Sequence, residues 1–273
     1  MASPQDIRAD GLDDLTRDGV AAAPPDVPRH RCAEVGDDLA PRLPSAHPAI
    51  LCANVRAVRY FSVFYSRGDG WYRAHFPLAI SAALVRARVG IAPAVGETST
   101  TYLFDPRVPE RVHAFDSRLK LIAVLRDPVH RAYSQYQMEH RWGRETGSFE
   151  DALSREEAML PAELEKILSD PSAPSDTAAR CAYVARGRYA ELLERWLGFF
   201  PREQLLVLTS EELLAHPAEA MAEITRFLGL PGFRAESNPL RGVREYPPMD
   251  PRTGAPRPPL RTAQPAARGA ARP

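Results

Sequence analysis

Lysine is almost missing from this chain. Of 35 basic residues in 273, only Lys120 and Lys166 are lysines, and the rest are arginine. No lysine precedes Lys120 and no G-x-x-G-T occurs, so no lysine-bearing phosphate loop is spelled anywhere. The Walker lysine of a P-loop phosphotransferase is absent with it, as is a carboxylate pattern for Mg²⁺. Net charge is also absent: 35 acidic residues balance the 35 basic ones, so bulk electrostatics favour neither nucleic acid nor an anionic membrane. Cys32, Cys52 and Cys181 are odd in number and widely spaced, which argues for reduced thiols and against a metal cluster. No apolar run approaches membrane-span length, and an N-terminus carrying Asp6, Asp10, Asp13 and Asp14 is too acidic for a signal peptide. The expectation is a soluble, cytoplasmic chain with no metal and no nucleic-acid or membrane partner.

What is present is concentrated between Lys120 and Tyr136, KLIAVLRDPVHRAYSQY. Leu121 to Leu125 is a short apolar run with β-branched members, the pattern of a buried strand. Arg126 ends it. Asp127 and Pro128 then supply an N-cap acceptor and a fixed φ at the first helical position, and no Gly or Pro interrupts His130 to Arg141. Strand, turn and helix make the geometry in which backbone N–H groups and a helix dipole receive an anion. Arg126 stands at the strand's carboxyl end, where ligands bind in open α/β sheets, and Ser134 on the following helix offers a hydroxyl to the same anion.

This stretch resembles the 3′-phosphate-binding segment of the sulfotransferase family, most like its heparan-sulfate and bacterial carbohydrate-type members. There an arginine at the strand end and a serine eight residues later hold the 3′-phosphate of 3′-phosphoadenosine 5′-phosphosulfate (PAPS), and RDP and RAYS bring Arg126 and Ser134 into that register. The resemblance continues elsewhere. Gly96 to Tyr102 (GETSTTY) is similar to a segment at the floor of the family's acceptor cleft, with Thr100 where a proline is usual. Glu97 is the one carboxylate with a place in such a site, either as a proton acceptor or as a capping or salt-bridging residue. Arg186, Gly187 and Tyr189 match a segment that approaches the nucleotide, and Arg241 opens RGVREYPPMD, which matches the loop that covers it. One position departs sharply. The family's general base is a glutamate on the strand before its His-Tyr-Phe, and here the aligned residue is Ala57, whose methyl group accepts no proton.

The remaining readings are local. His47 to Ile50 looks like a helix end, Asn54 to Phe61 alternates as a strand, and Trp71 and Phe76 read as core. Pro106 to Phe115 is a short amphipathic helix with Val108, Val112 and Phe115 inward. Ser148 with Asp151 forms a capping box, and Leu160 to Ala179 is a polar, Pro-broken surface excursion. Ala190 to Trp196 is helical, Gln204 to Leu208 is a buried strand, Ser210 caps the next turn, and Ala218 to Leu228 is a helix ending at Gly229.

The two ends read differently. Residues 1–44 lack periodicity and are rich in Asp, Arg, Ala and Pro; residues 253–273 collapse into Pro, Ala and Arg. Back-translation shifted by one base turns Val27 to Arg31 into codons permitting a buried strand. The same shift turns Cys32 to Ala40 into codons permitting Ala-Pro-Lys-Ser-Gly-Thr-Thr-Ser-Leu, and Glu34 then permits only Lys or Arg. From Gly254 the shift permits an amphipathic helix similar to the family's closing helix. Both ends therefore have the form of frameshifted sequence, with two disordered tails as the alternative. The expected organisation is a segment 1–44, a sulfotransferase-like domain over 45–252 and a tail over 253–273. The resemblance implies a three-layer α/β domain with a central parallel sheet, related to the P-loop kinases and incomplete at both ends. It also implies sulfuryl transfer from PAPS, without a metal, to a hydroxyl or amine of a small-molecule or carbohydrate acceptor. With the loop lysine and the usual glutamate missing, it implies little or no activity in the polypeptide as written. The alternative is a non-catalytic protein that binds a 3′-phosphonucleotide or a sulfated glycan.

Overall fold

The computed structural model describes residues 31–36 (backbone only), 47–55 and 57–232. Five parallel strands form its sheet: β1 (Arg31–Gly36), β2 (Ile50–Cys52), β3 (Ala94–Ser99), β4 (Lys120–Leu125) and β5 (Leu205–Thr209), in the order β2-β3-β1-β4-β5. The helices are α1 (Gly68–Arg73), α2 (Ala79–Val89), α3 (Val108–Phe115), α4 (Pro128–Arg141), α5 (Phe149–Ser169), α6 (Asp176–Cys181), α7 (Tyr189–Leu197), α8 (Ser210–Ala215) and α9 (Pro217–Leu228). Among the described residues no helix is long and apolar enough to cross a membrane.

The strands alternate sides with period two, and the sheet is covered on both. Leu121, Ala123 and Leu125 of β4, with Leu205 and Val207 of β5, face α3 and α7, where Val108, Val112, Leu192 and Trp196 are buried. Ile122 and Val124, with Leu206 and Leu208, face Met221, Ile224 and Leu228 of α9 and Leu213 of α8. Two helical layers around a parallel sheet are the α/β architecture expected. Asp127 caps α4 with Pro128 at its first position, Ser148 and Asp151 form the capping box of α5, and α9 ends on a left-handed Gly229 with φ 77°.

β1 is the middle strand, registering Arg31 to Val35 against Val95 to Ser99 of β3 and Cys32 to Gly36 against Lys120 to Val124 of β4. A segment read as lacking structure thus supplies the centre of the sheet. The slot between β3 and β4 presents two rows of backbone N–H and C=O groups that must be paired, and backbone pairing asks little of side chains. The shifted reading expected the strand at Val27 to Arg31; the observed strand is Arg31–Gly36. The rest of 1–44, residues 253–273 and Arg241 to Asp250 lie outside the described residues.

Several local expectations change. Asn54 to Phe61 is not a strand, because Ala57 (φ 52°) and Arg59 (φ 53°) adopt left-handed conformations that no β-ladder accommodates. His47 to Ile50 is a turn entering β2, held by the Ala49 N–H to His47 Nδ1 at 3.0 Å, and not a helix end. Trp71 and Phe76 pack on the rim of the core, while Tyr72 enters it and stacks on Tyr60 with ring centroids 4.6 Å apart. Leu160 to Ala179 is not a surface excursion: α5 continues through Pro161, and Ile167, Ala173, Ala178 and Ala179 are buried. Pro161 removes one helical hydrogen bond, and burial of Leu160 and Ile167 outweighs that loss. Thr209, one residue before the expected Ser210, caps α8, sharing a capping box with Glu212.

Candidate functional site

Parallel α/β sheets bind ligands outside the carboxyl ends of their strands, where the chain order reverses. Here that point is β1, with β2 and β3 on one side and β4 and β5 on the other. β3 arrives there at Ser99 and β4 at Leu125, followed by Arg126.

The turn after β4 is built by Asp127. Its Oδ1 accepts from the N–H groups of Val129 at 3.0 Å and His130 at 2.9 Å, and its own N–H donates to Glu211 Oε1 at 3.2 Å. Two of the free N–H groups at the start of α4 are therefore taken by this carboxylate. An anion at this turn is left to side chains, which corrects the expectation that the helix N-terminus receives it directly. The side chains that remain are the two expected. Arg126 and Ser134 are both partly exposed, and neither the guanidinium nor the hydroxyl makes a hydrogen bond or ion pair with a described residue.

Their neighbours are fully engaged. Arg186 donates from Nη1 to Gln135 Oε1 at 3.0 Å and from Nη2 to the Thr100 carbonyl at 2.9 Å, tying the end of β3 to α4. Gln135, 6% exposed, also accepts from Arg131 Nη1 at 2.7 Å and donates to the carbonyls of Ala179 at 3.2 Å and Arg180 at 2.7 Å. Arg131 donates in turn to the Tyr183 carbonyl. Gly187 lies so close to α4 that a Cβ would sit 2.9 Å from Pro128 Cβ. The Tyr189 hydroxyl donates to the Arg126 carbonyl at 2.9 Å. Gly187 and Tyr189 thus pack against the Arg126 turn as supports of its backbone, while Arg186 braces β3 against α4 beside it. Arg241 lies outside the described residues.

Glu97 sits one layer lower. Its carboxylate, 3% exposed, accepts from the Tyr102 hydroxyl at 2.7 Å and from Ser99 Oγ at 3.0 Å, while Ser99 Oγ accepts from the Arg59 N–H at 3.0 Å. The acid pins the left-handed turn of Ala57 and Arg59 to the end of β3. Burial pushes its pKa up to about 6, with the hydrogen bonds from Tyr102, Tyr72 and Ser99 acting the other way. The folded state therefore holds this proton more tightly than the unfolded chain. The resulting stability is present below the ordinary glutamate pKa and is lost as pH rises through about 6, amounting to roughly 2 kcal/mol. In urea denaturation between pH 4.5 and 7.5, Glu97→Gln is expected to remove this downward slope; an unchanged slope would assign it to other groups. Ala57, at the position where the family carries its base, begins the turn that Glu97 supports, and Arg59 is paired with Asp176 at 2.6 Å.

Three further residues shape the site without having been anticipated. Glu156 of α5, 5% exposed, accepts from three successive backbone N–H groups, those of Tyr183 at 2.8 Å, Val184 at 2.7 Å and Ala185 at 2.8 Å. It thereby fixes the segment that delivers Arg186 and Gly187. Gln135 is the second. Arg107 is the third, holding the Phe61–Phe64 region and the Asp170–Ala173 segment together through the carbonyls of Ser62 and Ala173. No spacing rule marks any of them, because each bonds backbone far away in the chain.

A doubly covered parallel sheet, with the Arg126 guanidinium after β4 and the Ser134 hydroxyl on α4 both unpaired among the described residues, is an α/β domain with a candidate anion site. A family model, sulfotransferase domain, matches residues 99–240, just over half of the chain. The chain belongs to the sulfotransferase family, whose P-loop-kinase-like fold is the one seen here. It is 32% identical over 180 residues to the bifunctional heparan sulfate N-deacetylase/N-sulfotransferase of Drosophila melanogaster, covering 65% of this chain and 16% of that protein. It is 27% identical over 187 residues to human heparan sulfate glucosamine 3-O-sulfotransferase 5, covering 68% of this chain and 47% of that one. The chain therefore spans less than half the length of these curated relatives. Among solved structures, a sulfotransferase from Alicyclobacillus acidocaldarius superposes with a TM-score of 0.57 at 27% identity, covering 82% of this chain and 87% of that one.

Proposed function

We propose that this protein binds PAPS by its 3′-phosphate, through Arg126 and Ser134, and that it is built to pass the sulfuryl group to a hydroxyl or amine of a carbohydrate or other small acceptor. The observation that carries the reading is the contrast at the β4–α4 turn. Arg131 and Arg186 are bound into the structure, whereas Arg126 and Ser134 have no partner among the described residues. The names of the relatives, which act on heparan sulfate and its glucosamine, point to an amino-sugar glycan as acceptor. A cytoplasmic location is part of this proposal, supported by three widely spaced cysteines that suit a reducing compartment.

In the transfer, the acceptor oxygen or nitrogen attacks sulfur, the bond from sulfur to the bridging phosphate oxygen breaks, and adenosine 3′,5′-bisphosphate leaves. The acceptor's proton needs a base, and the bridging oxygen needs positive charge. Ala57 cannot be the base, and both Glu97 oxygens are occupied below the cleft. Nor does a lysine serve the leaving oxygen: Lys120 begins β4, at the end of that strand opposite Arg126, and donates to the Phe227 carbonyl at 2.5 Å, and Lys166 is exposed in the last turn of α5. Loss of one such preorganised donor costs on the order of 10²–10³ in rate. These placements favour a second reading, a protein that holds the 3′-phosphonucleotide without turning it over.

Calorimetry with adenosine 3′,5′-bisphosphate tests the shared part. The protein is expected to bind it, and Arg126→Ala to weaken binding roughly tenfold to a hundredfold, the worth of a charge-assisted contact to phosphate. Absence of binding, or an unaffected Arg126→Ala, removes both readings. Transfer of radiolabelled sulfuryl from PAPS to a glucosamine-containing oligosaccharide then separates enzyme from binder.

A further inference from the structure

A second cavity lies well away from the donor turn. α4 begins beside Arg126 and runs 14 residues, about 21 Å, to its C-terminal end. There, between that end, α5 and α6, is a cleft of about 450 Å³, within the range of small-molecule sites. Its walls carry Arg144, Arg155 and Arg180 against Glu139 and Glu145, with Met159 and Ala152 supplying an apolar side.

The charges do not cancel. Glu145 is saturated: it is paired with Arg155, accepts from the Tyr183 hydroxyl at 3.3 Å and takes the N–H groups of Thr146 at 3.1 Å and Gly147 at 3.4 Å. Glu139 is 4% exposed and its closest ion-pair partner, Arg144, stands at 3.6 Å; burial holds its carboxyl above the ordinary range, opposed by Arg144, Arg180 and Arg186. The Arg180 guanidinium, exposed at the rim, makes no hydrogen bond or ion pair with a described residue. The cavity thus offers one guanidinium fork that makes no hydrogen bond with a described residue, and one buried carboxylate whose closest ion-pair partner is 3.6 Å away.

We propose that this cleft binds a hydroxylated monocarboxylate of monosaccharide size, a sugar acid, with its carboxylate on Arg180, its hydroxyls donating to Glu139 and its ring against Met159. A planar fork matches a carboxylate with two parallel hydrogen bonds. A phosphate dianion would bring more negative charge than the single spare arginine neutralises, and it would leave Glu139 without donors. The site is independent of the donor turn at the other end of α4.

The probe is D-glucuronate, titrated calorimetrically into the full chain, with D-glucose and inorganic phosphate as comparisons. Glucuronate is expected to bind at least tenfold more tightly than either. Arg180→Ala, which truncates an exposed side chain, is expected to weaken glucuronate tenfold or more and to leave adenosine 3′,5′-bisphosphate affinity at the wild-type value. The proposal is overturned if glucuronate does not bind, if glucose or phosphate matches it, or if Arg180→Ala binds it unchanged. Loss of both ligands together would overturn the independence of the two sites.

Discussion

Glu156→Ala is expected to lower the unfolding free energy by about 2–4 kcal/mol and to weaken the proposed binding of adenosine 3′,5′-bisphosphate, although Glu156 bonds neither Arg126 nor Ser134. Its carboxylate takes the N–H groups of Tyr183, Val184 and Ala185, and the first of these is buried. An alanine leaves that donor without a partner, and a charged acceptor is worth more than a neutral one. The functional consequence follows from what comes next in the chain. The 3₁₀ turn Ala185–Gly187 carries Arg186 to Thr100 and Gln135, presses Gly187 against Pro128 and leads to Tyr189, which holds the Arg126 carbonyl. Freed of Glu156, that turn no longer holds the Arg126 backbone in one place. Glu156→Gln keeps an acceptor oxygen and is expected to lose about half as much stability. Urea denaturation and calorimetry on both variants check this. Wild-type affinity in Glu156→Ala would show that the turn needs no support from α5.

Arg107→Ala is expected to be the most destabilising single change considered, at about 3–5 kcal/mol, a fall of roughly 10 °C in Tm. Arg107 and Asp105 are 9% and 1% exposed at their side chains, and Nη2 meets Oδ2 at 3.0 Å. The same guanidinium donates to the carbonyls of Asp170 at 3.2 Å, Pro171 at 3.3 Å and Ala173 at 2.9 Å. Truncation therefore strands a buried carboxylate and several carbonyls at once. Replacing both partners, Arg107→Met with Asp105→Leu, is expected to recover part of the loss, because the stranded charge goes too. Recovery stays partial since Asp105 Oδ1 also accepts the Arg107 N–H at 3.0 Å. Calorimetric scans of the single and double variants decide the matter, and a double variant less stable than Arg107→Ala would locate the cost outside the ion pair.

The sulfotransferase-like elements were legible where their cause is local. β4 announces itself as an apolar run, α4 by an Asp-Pro start, α5 by its capping box and α9 by a glycine stop, since each signal acts within a few residues. Arg126 and Ser134 could be named for the same reason: a strand end and a helix position fix where they stand. Asn54 to Phe61 failed because strand alternation says nothing about φ, and the positive φ of Ala57 and Arg59 is imposed from Ser99 and Glu97 some forty residues on. Arg31–Gly36 failed the other way, with pairing partners on both sides making a strand of a segment without strand character.

Composition, local pattern and the wording of one strand–turn–helix were thus enough to state the sheet class and the family. Which of the described arginines are spent on structure and which stay free, that Glu97 braces a turn, and that Glu156 and Gln135 hold the Ala185–Gly187 turn are set by folding. Those facts depend on groups far apart in the chain meeting in a buried, low-dielectric interior, where every donor and acceptor must find a partner.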